Sequence, residues 1–271
     1  MPNETLVTYV LLILSALAAG AVNSIAGGGT LLTFPALLRI LGSVEANATS
    51  TIALLPGSLA GALGYRKELR QSKRLILILL APSIIGGVAG ALLVTRFPEK
   101  VFSQLVPWLI LTASVLFLVQ APLKKLTKAG QQGPATGWTV VVVIFGQLLI
   151  AIYGGYFGAG IGILMLSVLP FMGTRNIHET NGAKTFLASI INAVTVVIFI
   201  AEGKVVWKYA LVMAVSAIIG GYVGARFARR LPAVYVRAIV ITIGLSLGLY
   251  YLWLQLFSPT PEPIPEPIPE S

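Results

Sequence analysis

Apolar residues in this chain come in long unbroken runs, separated by short stretches that hold most of the charge. The runs are continuous rather than alternating with a period of two, which predicts helices and not barrel strands. Ten segments stand out, at about 6–22, 30–41, 50–65, 75–94, 101–119, 139–153, 161–172, 183–200, 207–226 and 234–257. Runs such as 75–94 and 101–119 can cross a hydrocarbon core of about 30 Å as helices. The second and seventh segments are short, roughly 12 residues or 18 Å each. Each follows a glycine cluster, Gly27-Gly28-Gly29 in one case and Gly158-Ala159-Gly160-Ile161-Gly162 in the other. Short, glycine-interrupted segments at matching positions predict broken or re-entrant helices.

The ten segments are two sets of five. Ile84-Ile85-Gly86-Gly87-Val88-Ala89-Gly90-Ala91 returns 134 positions later as Ile218-Ile219-Gly220-Gly221-Tyr222-Val223-Gly224-Ala225. The same offset pairs Asn47 with Asn181, Thr51 with Thr185 and Gly28 with Gly162. The expected organisation is a first membrane repeat over 1–123, a basic linker over 124–138, a second repeat over 139–257, and a disordered tail over 258–271. In that tail proline occupies alternate positions with interleaved glutamates, which excludes a helix. Segment 6–19 is not preceded by the basic residues of a secretory leader, so it reads as a retained first span.

Composition supports a lipid environment. Hydrophobic residues make up 56% of the chain, charged residues 10%, and the mean hydropathy is +0.90. A soluble domain carries roughly 25% charged residues, so this chain cannot cover its surface with polar groups. The net charge of +10 is concentrated in short loops, and no reader motif accompanies it, which disfavours a nucleic-acid partner. There is no cysteine, and neither a Walker motif nor a catalytic or metal-ligating constellation is visible. No cofactor and no enzymatic activity are therefore expected.

Loop charge gives the orientation. The cluster from Arg66 to Arg74, the lysines Lys124, Lys125 and Lys128, and the arginines Arg226, Arg229, Arg230 and Arg237 all read as cytoplasmic. Loops equivalent under the repeat carry opposite bias. An odd number of segments per half with reversed bias predicts an inverted repeat, with both termini outside. A parallel repeat of plain spans is the alternative. The expected fold class is an all-α polytopic membrane protein built as an inverted repeat. Each half would hold four full spans, or three plus a broken or re-entrant helix hairpin, giving 8 to 10 membrane segments.

Polar residues in these runs mark a candidate site. On a helix, Asn47, Ser50, Thr51 and Ser58 share one stripe, and Asn181, Lys184, Thr185, Asn192 and Thr195 share its equivalent. Polar groups on a common face point into the bundle, since lipid penalises them. Interhelical hydrogen bonding accounts equally well for the hydroxyls taken singly. Lys184 is the least expected residue, because a central Lys is costly on insertion scales. Either it snorkels to the surface or its ammonium meets an anion. The glycine clusters favour the anion: half-helix starts at Gly28, Gly29 and Thr30, and at Gly160 and Gly162, would present unpaired amides. Asn23 and Ser24 add neutral donors in the first half, where the second has Phe157 and Gly158. Gln147 and Tyr153 are weaker candidates, and the pairs Gly86/Gly90 and Gly220/Gly224 read as helix-packing motifs. No mid-span carboxylate for proton coupling is visible, and His178 and Glu179 read as residues before the eighth segment.

These residues resemble the TauE/SafE family, the sulfite exporter-like group also described as toluene-sulfonate uptake permeases. The resemblance rests on the stretch from Asn23 to Pro35 with Asn47-Ala48-Thr49-Ser50-Thr51, and on Gly158 to Leu164 with Asn181-Gly182-Ala183-Lys184-Thr185. It implies an inner-membrane transporter of sulfite, sulfoacetate or other organosulfonates. The reading is a secondary transporter with its substrate at the bilayer midplane, with a passive anion channel or a non-transporting scaffold as alternatives. Expected partners are a small anionic substrate, the lipid bilayer and a coupling ion, proton or sodium; a homo-oligomer is compatible with the sequence.

Overall fold

The computed structural model describes residues 2–25, 28–127, 137–174, 177–227 and 233–257. The expectations that fall on Gly27, Lys128, Arg229, Arg230 and the tail 258–271 lie outside these residues. Within them, every regular element is helical. The first half consists of α1 (Pro2–Ile25), α2 (Thr30–Leu38), α3 (Ser43–Gly64), α4 (Arg66–Gln71), α5 (Lys73–Arg96) and α6 (Glu99–Thr127). The second consists of α7 (Gly137–Tyr156), α8 (Ile161–Val168) running into a 3-10 turn (Leu169–Met172), α9 (Ile177–Ala201), α10 (Trp207–Phe227) and α11 (Ala233–Phe257). Stretches within α1, α5, α6, α7, α9 and α11 are long and apolar enough to cross a membrane, and shorter apolar stretches lie at Ile161–Met172 and Trp207–Val223. Large apolar side chains such as Leu14, Leu77, Phe145, Val197 and Leu249 are exposed on the outside. Only a lipid solvent tolerates that pattern on six helices at once. The protein is a polytopic membrane protein.

The short segments following the glycine clusters form α2 and α8, as the pattern predicts. They are not equal. Under the 134-residue offset Thr30 corresponds to Leu164, yet α8 begins at Ile161, so the second broken helix starts nearly one turn earlier. The basic stretch after α3, expected as a loop, is partly the helix α4.

Small residues set the packing. Helix α1 lies along α10, with Tyr9 and Tyr209 rings 5.7 Å apart at one end and Gly20 against Ala217 and Gly221 further on. Helix α5 lies along α7, with Gln147 Nε2 donating to Ser83 Oγ at 2.9 Å, Gly86 against Ala151, and Gly90 against Gly155 and Tyr156. Both pairs run parallel. The 134-residue offset converts one pair into the other, since α1 corresponds to α7 and α5 to α10. Gly86, Gly90 and Gly220 thus serve close helix approach, as their spacing implies. The first helix of each half is seated in the opposite half.

Helices that correspond to each other also meet, and they run antiparallel. Ser189 Oγ of α9 donates to Ser58 O of α3 at 3.0 Å, Thr185 faces Gly61, and Gly182 packs on Tyr65 and Glu68. On α6 and α11, Gly244 meets Ser114, while Gly248 meets Ile110 and Leu111. The core between these pairs holds Leu12, Ala16, Ala19, Phe34, Ala46 and Ala48, all fully buried.

Candidate functional site

In the first half the chain breaks between α1 and α2. Gly28 has φ +93°, a left-handed conformation that favours glycine, and the Phe117 ring of α6 fills the space a side chain would need. The amide of Gly29 donates to Asn23 Oδ1 at 2.7 Å. Asn23 thus caps α2 with an acceptor from within the protein, in place of the free donor that the sequence suggests. Thr30 opens α2 and is half-buried, and Ser24 lies in the last turn of α1. Thr33, which the sequence reading passed over, pairs its hydroxyl with Ser50 Oγ at 2.6 Å in a buried contact.

The polar stripe of α3 is also tied to the protein. Asn47 Nδ2 donates to Tyr156 O at 3.0 Å, binding α3 to the end of α7. Its Oδ1 is buried without a hydrogen-bond partner, and the residue is 1% exposed. Thr51 Oγ1 donates to Asn47 O at 2.8 Å, and Ser58 Oγ to Leu54 O at 3.2 Å. Ser50 therefore bonds across to α2 and Thr51 to its own helix backbone.

The second half is more open. Gly160, with φ +81°, precedes α8 and lies against Ala113 and Leu116 of α6. The amides of Ile163 and Leu164 return to Gly160 O at 2.9 and 3.4 Å. Among the described residues no side-chain acceptor meets the amides of Gly160, Ile161 or Gly162, in contrast to the Asn23 cap of α2. A Cβ placed on Gly162 would lie 3.4 Å from Lys184 Cδ, so the aliphatic stem of Lys184 runs past the first turn of α8. One placed on Gly158 would lie 3.8 Å from Asn192 Oδ1. Helix α9 therefore flanks the whole break, with Lys184 and Asn192 two turns apart on it. Asn181 and Thr185 are half-buried on the same helix, and Thr185 turns to Gly61 of α3.

The two breaks converge. Gly28 abuts Phe117 and Gly160 abuts Ala113 and Leu116, so both half-helix starts press on little more than one turn of α6. Phe157 holds the place that Asn23 holds in the first half. It is buried, and its ring meets Phe34 of α2 edge-on at 5.2 Å. Residues 12–251 match the family model described as Sulfite exporter TauE/SafE.

The chain belongs to the TauE/SafE family.

It is similar to a probable membrane transporter protein, ORF9, of Sinorhizobium sp., with 29% identity over 243 residues, covering 89% of this chain and 91% of that one. The probable membrane transporter protein YfcA of Escherichia coli K12 is 27% identical over 231 residues, covering 84% and 83%. YunE of Bacillus subtilis, also a probable membrane transporter protein, is 26% identical over 268 residues, covering 89% and 97%. No solved structure matches the chain. This TauE/SafE protein is a membrane transporter by family. Among the described residues it has one buried carboxylate, which the sequence reading did not find. Glu179 is 6% exposed on the first turn of α9, where the sequence suggests a residue ahead of the segment. The missed signal lies in the same 134-residue offset: Glu45 recurs as Glu179 beside the pairs Asn47/Asn181 and Thr51/Thr185.

Proposed function

We propose that this chain is a secondary transporter of small sulfur-containing anions such as sulfite, sulfoacetate or other organosulfonates, and not an enzyme. Its two halves form an inverted repeat in the inner membrane, with both termini outside. The antiparallel packing of α3 on α9 and of α6 on α11 supports the inversion, because equivalent helices of a parallel repeat would point the same way. The loop charges support the orientation.

The observation that carries the reading is the junction of Lys184 with the first turn of α8. A lysine whose stem lies beside a helix start with uncapped amides suits a small anion. Asn181 and Asn192 on the same helix supply neutral donors. The α2 side, capped by Asn23 and filled by Phe117 and Phe157, contributes shape more than charge. Exchange between outward and inward access follows from rocking one half against the other about the α3–α9 contact. A coupling ion, proton or sodium, moves with the substrate.

Proteoliposomes loaded with sulfite or sulfoacetate test this. Saturable uptake with counterflow is the expected result. Linear flux without counterflow would replace the transporter with a channel. No ligand-induced thermal shift across a panel of sulfur oxyanions would favour a scaffold.

A further inference from the structure

We propose that the corner between α4 and α5 binds an anionic phospholipid. The chain kinks at Ser72, which ends α4 and stands in the capping position of α5. A serine there ordinarily accepts from the first-turn amides, but Ser72 makes no such bond. It is 2% exposed, and its hydroxyl has no hydrogen-bond partner. The start of this 24-residue helix is thus left without a side-chain acceptor beside a buried, unused hydroxyl.

The next two residues are Lys73 and Arg74, both exposed. With Leu77 and Ile78 they line an open recess of about 650 Å³. Leu77 is 59% exposed on a helix apolar enough to cross the membrane, so this wall faces acyl chains. The recess therefore runs from cations to aliphatic side chains in the direction in which a phospholipid runs from phosphate to chain. Arg74 offers a planar donor pair suited to a phosphate, and Lys73 a point charge beside it. A neutral lipid leaves both cations uncompensated, and a soluble anion leaves the apolar wall uncovered. Basic pockets at helix ends are general sites for anionic headgroups.

The site is distinct from the candidate transport site: its four lining side chains belong to α5, while the turn into α4 is what packs near Lys184. Tyr65 and Glu68 pack on Gly182 of α9, two residues before Lys184.

The test uses the full chain purified in detergent and freed of lipid, then titrated with dioleoyl phosphatidylglycerol or dioleoyl phosphatidylcholine. Native mass spectrometry reads bound lipid and thermal unfolding reads stabilisation. Phosphatidylglycerol is expected to bind and raise the unfolding temperature of the wild type. The same is expected of Lys100→Gln/Lys208→Gln, which removes equal charge elsewhere. In Lys73→Gln/Arg74→Gln its affinity falls about tenfold or more. Lys73→Arg/Arg74→Lys, which keeps both charges, retains binding and separates loss of charge from loss of fold. Equal binding by the Gln pair, or equal binding of phosphatidylcholine, overturns the proposal. So does stabilisation by inorganic phosphate or glycerol 3-phosphate that matches the lipid, which would assign the corner to a soluble anion.

Discussion

The stem of Lys184 passes Gly162 at van der Waals distance: a methyl on Gly162 would sit 3.4 Å from Lys184 Cδ. A cation on one helix and the start of another are thereby brought side by side. Lys184→Gln removes the charge and shortens the side chain. It should leave the unfolding temperature within a few degrees of wild type, since the residue is only half-buried, and reduce sulfite or sulfoacetate binding at least tenfold, the effect of losing about 1.4 kcal/mol of charge interaction. Isothermal titration reads it, and wild-type affinity in the variant would remove Lys184 from the site. Gly162→Ala should be tolerated, while Gly162→Leu should displace the stem and lower uptake.

A charge at the other break should act in the opposite sense. Asn23 accepts from the Gly29 amide at 2.7 Å. Asn23→Ala leaves that amide uncapped and should cost about 1 kcal/mol of stability. Asn23→Asp keeps the acceptor and adds a negative charge at the start of α2. It should therefore unfold no earlier than wild type while raising the substrate concentration needed for half-maximal uptake.

Glycines in this chain divide sharply by surroundings. A Cβ on Gly90 would come within 2.7 Å of the Tyr156 amide nitrogen and 2.9 Å of the Gly155 carbonyl carbon, both backbone atoms that cannot move aside. Gly90→Ala must spread α5 from α7 and should cost at least about 1–3 kcal/mol, with poor yield on expression. Gly57 meets nothing within 4 Å. Gly57→Ala should stabilise α3 by up to about 1 kcal/mol through helix propensity alone. Thermal unfolding of the two variants in one detergent checks the contrast.

The α5–α7 interface holds a polar pair that its counterpart lacks, since Ile13 and Ala217 stand where Gln147 and Ser83 would be. Gln147 Oε1 is buried without a partner even while Nε2 bonds Ser83. Ser83→Ala alone strands the amide and should cost about 1–3 kcal/mol. Adding Gln147→Leu should recover most of that loss. A double-mutant cycle on unfolding free energies reads the coupling, and strict additivity would mean that the pair does not interact.

Much of this architecture was legible because periodicity and repetition are local properties. The glycine clusters announced α2 and α8, and the Gly86/Gly90 spacing announced close helix approach. What could not be read was which helix each glycine meets. That partner, α7, belongs to the other half, and no local rule encodes it. The hydroxyls of Ser50 and Thr51 were visible as a stripe; Thr51 bonds its own helix backbone, but the Ser50 contact with Thr33 depends on α2 folding back over α3. Glu179 was misjudged because the start of α9 lies several residues before its apolar run, at Ile177. The unequal starts of α2 and α8 were hidden by the ungapped register itself, which suggested two matching ends.

The exchange of first helices between halves sets a schedule for biogenesis. Helix α1 is made first, but the groove that receives Gly20 is provided by α10, which cannot exist until residues 26–206 have been synthesised. At ordinary elongation rates that is a delay on the order of ten to forty seconds, during which a glycine-bearing face waits in the bilayer for its mate. Truncated chains ending before α10 should be prey to membrane proteases, and the two halves, produced as separate polypeptides, should assemble only when both are present.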